Sequence, residues 1–226
     1  TYDMYQRGDY YGVLINADTA LSRYPDDQVI PKFQFLKVLA IGKTEDIMVF
    51  TQALDSLSKS TPDPEIAERS KAILAYILDT DKEVKTETEK IEAEVMYTAD
   101  TTGEFYYGLF VRGSMDVNQL KFEFINLNLD VYPNRTIDVS HEVLGDGVTA
   151  VFVKRFNDME KTWEYYDHVF RSQEIFDVLE GTEYRLFIIS AGNEGILIND
   201  GVANKYWLFF QKHYNRNEAD TDTLDR

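Results

Sequence analysis

The rhythm of apolar and polar positions changes twice along this chain of 226 residues. As far as Leu78, apolar residues recur every three or four positions, the period of amphipathic helices. From Asp79 to Glu94 (DTDKEVKTETEKIEAE) apolar residues nearly vanish. After Glu104 short runs rich in β-branched and aromatic residues alternate with helical patterns, as strands and helices do. The expected architecture is α+β: helical repeats over residues 1–78, a charged linker over 79–103, an α+β domain over 104–215 and a polar tail over 216–226. The linker reads as a connector or a solvated helix, with the helix favoured because it contains no proline and no glycine before Gly103.

The first segment repeats itself. Gly8-Asp9-Tyr10 opens a run that ends Ala20-Leu21-Ser22-Arg23-Tyr24-Pro25, and Gly42-Lys43-Thr44 opens a second that ends at Pro62. The opening glycines are 42 − 8 = 34 residues apart, and about 34 residues is the tetratricopeptide period. On that reading Gly8 and Gly42 each open the second helix of a repeat, and Pro31–Ile41 is a first helix with its proline in the tolerated first turn. Pro64–Leu78 closes the array as one more amphipathic helix. First helices of such repeats line the concave face. That places Tyr2, Tyr5, Lys32 and Leu36 as candidate partner-binding groove residues. Lys32 is the most telling of them, because a lysine seldom serves as core.

In the second segment Phe105–Arg112 reads as a strand, and Asp116 caps a helix over Val117–Leu129. Ile137–Leu144 and Val148–Phe156 flank the tight turn Gly145-Asp146-Gly147 as a hairpin. Asp158–Ser172 is helical, with Trp163, Tyr166, Val169 and Phe170 on its apolar face; Glu174–Leu179 has no assignment. Tyr184–Ser190 (YRLFIIS) is a dense apolar strand. Ala191–Gly195 then breaks the pattern with glycines, and Lys205–Tyr214 forms a final helix. The order β-α-β-β-α-β-α is the ferredoxin-like split βαβ plus one helix, an antiparallel four-stranded sheet with two helices on one face. The apolar run argues that Tyr184–Ser190 is central, whereas the split topology puts the last strand at an edge. Deep burial of Ile188 or Ile189 is expected either way.

Charge and chemistry narrow the function. A formal net charge of −17 makes nucleic acid and anionic membrane surfaces poor partners. With no cysteine, disulfides, thiolate zinc sites and a cysteine nucleophile are excluded. No apolar run is long enough to span a membrane. Gly42-Lys43-Thr44 resembles the end of a phosphate loop, but the required glycine five residues earlier is Lys37 and no strand precedes it. His141, His168 and His213 lie in separate elements, so no metal is expected. The serines lack a nucleophile elbow. No catalytic residue and no cofactor site are assigned. The alternative is an enzyme whose site lies in the second domain, for which only Asn193 and Glu194, after the apolar strand, offer themselves.

Two patches carry a family resemblance. Asp116-Val117-Asn118-Gln119-Leu120-Lys121, with Asn126 and Asn128, is similar to a D-V-N-x-L-K…F-N segment. Phe187-Ile188-Ile189-Ser190…Asn193, followed by Tyr206, Phe209, Phe210 and Tyr214, is similar to a closing I-I-S-x-x-N…Y-x-x-F-F-x-x-x-Y segment. With the GDY…ALSRYP and PKFQFLKVLAIGK stretches, the chain resembles the PorW/SprE-type tetratricopeptide lipoproteins of the Bacteroidota type IX secretion and gliding-motility machinery, as a C-terminal portion. It departs from the pattern at Glu123–Leu127, which is more apolar. The resemblance implies a periplasmic scaffold without enzymatic activity, anchored to the outer membrane by a lipid upstream of this stretch. Its protein partners would be the secretion translocon and the periplasmic ring and motor components.

Overall fold

The computed structural model describes residues 1–214; the polar tail expected over 216–226 lies outside the described residues. The fold is α+β and divides into two compact units, Thr1–Thr88 and Glu89 onward.

The first unit is helical: α1 (Tyr2–Gln6), α2 (Tyr10–Arg23), α3 (Ile30–Thr44), α4 (Ile47–Ser60), α5 (Pro64–Thr80) and the start of α6 (Lys82–Met96). Aspartates start most of these helices by accepting the orphan N–H groups of a first turn: Asp9 from Gly12, Asp46 from Met48, and Asp63 from Glu65 and Ile66. Pro31 and Pro64 sit in first turns, where a missing N–H costs nothing. From α2 to α5 each helix packs on the next, and α3 also touches α1 and α5. Val38, Leu54, Leu57 and Ile66 form the buried centre of this packing.

Gly42 does not open a helix. The α3 helix runs through it to Thr44, and a Cβ there would stand 2.8 Å from the Phe50 ring of α4. The glycine serves close helix–helix approach. Gly8, with φ +80°, is the true turn glycine between α1 and α2. The matching caps Asp9 and Asp46 are 46 − 9 = 37 residues apart, so the spacing of 34 between glycines compares two different structural positions.

The expected linker is a helix for most of its length, and the second unit begins inside it at Glu89, 104 − 89 = 15 residues before the anticipated start. Ala93 and Tyr97 are buried in that unit's core, with Met96 packed beside them. An alanine and a glutamate in this short stripe conceal it from a count of large apolar residues.

The second unit then runs β1 (Phe105–Arg112), α7 (Val117–Val131), β2 (Val139–Val143), β3 (Thr149–Phe156), α8 (Met159–Phe170), α9 (Gln173–Val178), β4 (Glu183–Ser190), α10 (Ala191–Asp200) and α11 (Ala203–His213). The sheet order is β2-β3-β1-β4, antiparallel throughout. Tyr184–Ser190 therefore belongs to an edge strand and is not central. Ile188 and Ile189 are nonetheless fully buried, because both faces of the sheet are covered. Tyr107, Leu109 and Val111 pack with Leu120 and Phe124 of α7, Tyr165 and Val169 of α8 and Ile175 of α9. Tyr106, Phe110 and Phe187 pack with Tyr206, Phe209 and Phe210 of α11 and with Tyr97. Two helices on one face was thus an incomplete expectation. Double coverage is also why seven consecutive residues of β1 are buried, where a half-exposed strand would alternate.

Glu174–Leu179, unassigned from sequence, is mostly the short helix α9. Ala191–Gly195 is no break. Ser190 caps α10 by accepting from the Asn193 N–H, and the helix continues from β4 without a loop. Gly192 and Gly195 are tolerated inside it because the cap and the burial of Asn193 and Leu197 outweigh their weak helix propensity.

Candidate functional site

Three of the four groove residues expected from sequence come together. Tyr2, Lys32 and Leu36 line an open groove of ≈ 570 Å³ bounded by α1, α3 and α5. Tyr5 does not: its ring meets Tyr10 edge-on at 5.4 Å, on the side where α1 meets α2.

The groove is built by alternate helices. Phe33, Phe35, Leu36 and Leu39 come from α3, and Ile66 and Arg69 from α5. Lys32 and Leu36 are four residues apart on α3 and so stack on one face. Ile66 and Arg69 answer them from the facing helix at a spacing of three. Sequence reasoning missed the α5 wall because Pro64–Leu78 was read as a closing helix. Pro64 in the first turn of α5 repeats Pro31 in the first turn of α3, and that signal would have paired α5 with α3.

The walls are apolar and the rim is charged. Glu65 and Arg69 form an ion pair at 2.6 Å across one helical turn, with side chains 73% and 62% exposed, a pair of the kind that adds little stability. Asp63 is occupied by the α5 cap. Lys32 is exposed and has no carboxylate within ion-pair distance among the described residues. The arrangement can hold an apolar segment. It brings together no acid, base and nucleophile.

In the second unit the two residues offered for an enzyme serve the fold. Asn193 is 1% exposed. Its Oδ1 accepts from the Thr98 N–H at 3.1 Å and its Nδ2 donates to the Thr98 carbonyl at 2.8 Å. Glu194 pairs with Lys154 at 2.5 Å. The strap over residues 98–100 that Asn193 holds is also held by Ser190, whose hydroxyl donates to Asp100 at 2.6 Å, and by the Tyr214 hydroxyl, which donates to the Asp100 carbonyl at 2.8 Å. Burial and the nearby Asp100 carboxylate push the Tyr214 pKa up to about 12, so this donor stays protonated. A smaller cavity of ≈ 400 Å³ is lined by Met159, Glu160, Trp163, His213 and Tyr214, but His213 is bound to Glu94 at 2.9 Å. His141 and His168 lie on β2 and α8, away from any shared cluster; among the described residues no three His, Cys, Asp or Glu groups are placed to hold a metal ion. Gly42-Lys43-Thr44 sits at the C-terminal end of α3, where carbonyls rather than N–H groups are free, the wrong polarity for phosphate. Among the described residues no helix is long and apolar enough to cross a membrane.

No family model matches the chain, and no curated protein or solved structure matches it.

Proposed function

We propose that the chain is a non-catalytic protein–protein interaction module that receives a partner segment in the α1/α3/α5 groove. The observation that carries this reading is the groove itself. Alternate helices of a sequential array converge on it, and they bring Tyr2, Lys32 and Leu36 to one apolar channel. Helix pairs stacked in series present a continuous surface of this kind, and the tetratricopeptide reading of the first unit rests on that packing. The ferredoxin-like reading of the second unit rests on its strand order and antiparallel sense, which are those of a split βαβ sheet. Such a sheet is compatible with many activities, so function is argued from sites, and of the residues nominated for an enzyme there Asn193 holds the strap over residues 98–100 and Glu194 pairs with Lys154.

The resemblance to PorW/SprE-type lipoproteins gives the scaffold a setting. It would be a periplasmic, outer-membrane-anchored link between the type IX translocon and ring or motor components. The test is a photo-crosslinking amino acid placed at Leu36 or Tyr2 of the full-length protein in its host. The proposal expects a discrete crosslinked protein at both positions and none when the probe is moved to the buried Leu54. An absence of crosslinks at both groove positions, with the protein folded and present, would reject the groove as an interaction surface.

A further inference from the structure

We propose that the occupant of this groove is a peptide segment that combines apolar anchors with a carboxylate, and that Lys32 recognises the carboxylate; the inference rests on the groove reading above. Four charged side chains line the channel: Lys32, Asp63, Glu65 and Arg69. Asp63 is committed to two backbone N–H groups of α5, and Glu65 and Arg69 neutralise each other. Lys32 is the charged side chain of the lining left without a hydrogen-bond or ion-pair partner among the described residues, so it is the group in the channel free to meet a carboxylate, within a chain of net charge −17.

A basic partner would find its counter-charges over most of this molecule and would have no reason to select the groove. An acidic one is repelled by most of the surface and attracted at this point, which is how specificity arises by exclusion as well as by contact. The neighbouring walls set the remaining chemistry. Phe33, Phe35, Leu36 and Ile66 offer apolar surface beside Lys32, so a bound carboxylate must be flanked by aliphatic or aromatic side chains.

A random dodecapeptide phage library panned on the intact protein tests this. Enriched sequences are expected to carry Asp or Glu next to Leu, Ile or Phe. Replacing that acid by its amide in a synthetic peptide should weaken binding about fivefold on the native protein, as for a single ion pair. The same replacement should have no effect on Lys32→Met, and a peptide with Lys in place of the acid should recover binding to Lys32→Glu. Enrichment without acids, or an amide penalty that persists in Lys32→Met, overturns the carboxylate inference while leaving the groove intact. Leu36→Asp separates the two levels: peptides that bind this folded variant as well as the native protein lie elsewhere, and the groove reading itself then fails. A library that yields no enrichment on the native protein rejects both.

Discussion

At the scale of single residues, the second unit separates polar groups that hold the core from polar groups that it merely tolerates. Tyr107 and Tyr165 are both fully buried and meet edge-on with ring centroids 5.5 Å apart. The Tyr165 hydroxyl donates to Asn128 Oδ1 at 2.6 Å, whereas the Tyr107 hydroxyl finds no hydrogen-bond partner among the described residues. Burial raises both phenol pKa values far above the ordinary range, so each stays neutral and the comparison is one of hydrogen bonding alone. Tyr165→Phe strands a buried amide oxygen and is expected to cost about 1–3 kcal/mol. Tyr107→Phe removes an unpartnered hydroxyl and is expected to be neutral or mildly stabilising. Urea denaturation of the two variants checks this, and equal losses would contradict the hydrogen-bond assignment. None of this was legible in sequence, because tyrosine reads only as a large apolar residue until its hydroxyl has an address.

At the scale of elements, the most informative surprise is α6. Its C-terminal half lies along α11, where Glu92 meets Lys205 at 2.9 Å and Glu94 meets Lys212 and His213 at 3.0 and 2.9 Å. Partial burial works to raise the Glu94 pKa, but hydrogen bonds from Lys212 and His213 outweigh it and hold the carboxyl below its ordinary 4.5. A depressed carboxyl stabilises the fold above its unfolded-state pKa, and that stability is lost as pH falls through the folded-state value. Thermal melts between about pH 3 and pH 7 should therefore show a gap between the native protein and Glu94→Gln that is present near neutrality and closes below pH 4.5. A constant gap would assign the loss to packing instead. The charges of this segment were plain in the sequence and suggested solvation, yet their partners lie more than a hundred positions away on α11. The hairpin around Gly145-Asp146-Gly147 and the helix after Asp116 were readable because their signals are local. The edge position of β4 was not, since a strand covered on both faces has the same apolar run at an edge as at the centre.

At the scale of the whole molecule, the change of rhythm after Leu78 marked a linker over 79–103, and the division between the two units falls inside it, at Glu89. Sequence put its start at residue 104, at the first strand. The structure adds residues 89–103, and their contribution can be weighed. Tyr97 meets Tyr206 edge-on at 5.0 Å and Phe209 at 5.5 Å, inside the core between the sheet and α11. Thr98 satisfies both polar atoms of the buried Asn193 side chain, and Asp100 engages Ser190 and Tyr214. A protein that starts at residue 104 opens the core beside Tyr206 and Phe209, and it leaves Asn193 buried without either partner. An unsatisfied buried amide alone costs about 1–3 kcal/mol, and loss of a large core aromatic about 3–5 kcal/mol. Together these approach the whole stability of an ordinary domain, about 5–15 kcal/mol. A version running from Glu89 to the C-terminus is expected to unfold cooperatively in calorimetry. One running from Glu104 is expected to melt far lower, or to show helical circular dichroism without a cooperative transition. If the two melt at the same temperature, the segment over 89–103 is an ornament on a domain that begins at the first strand, and the boundary read from the rhythm of the sequence was the right one.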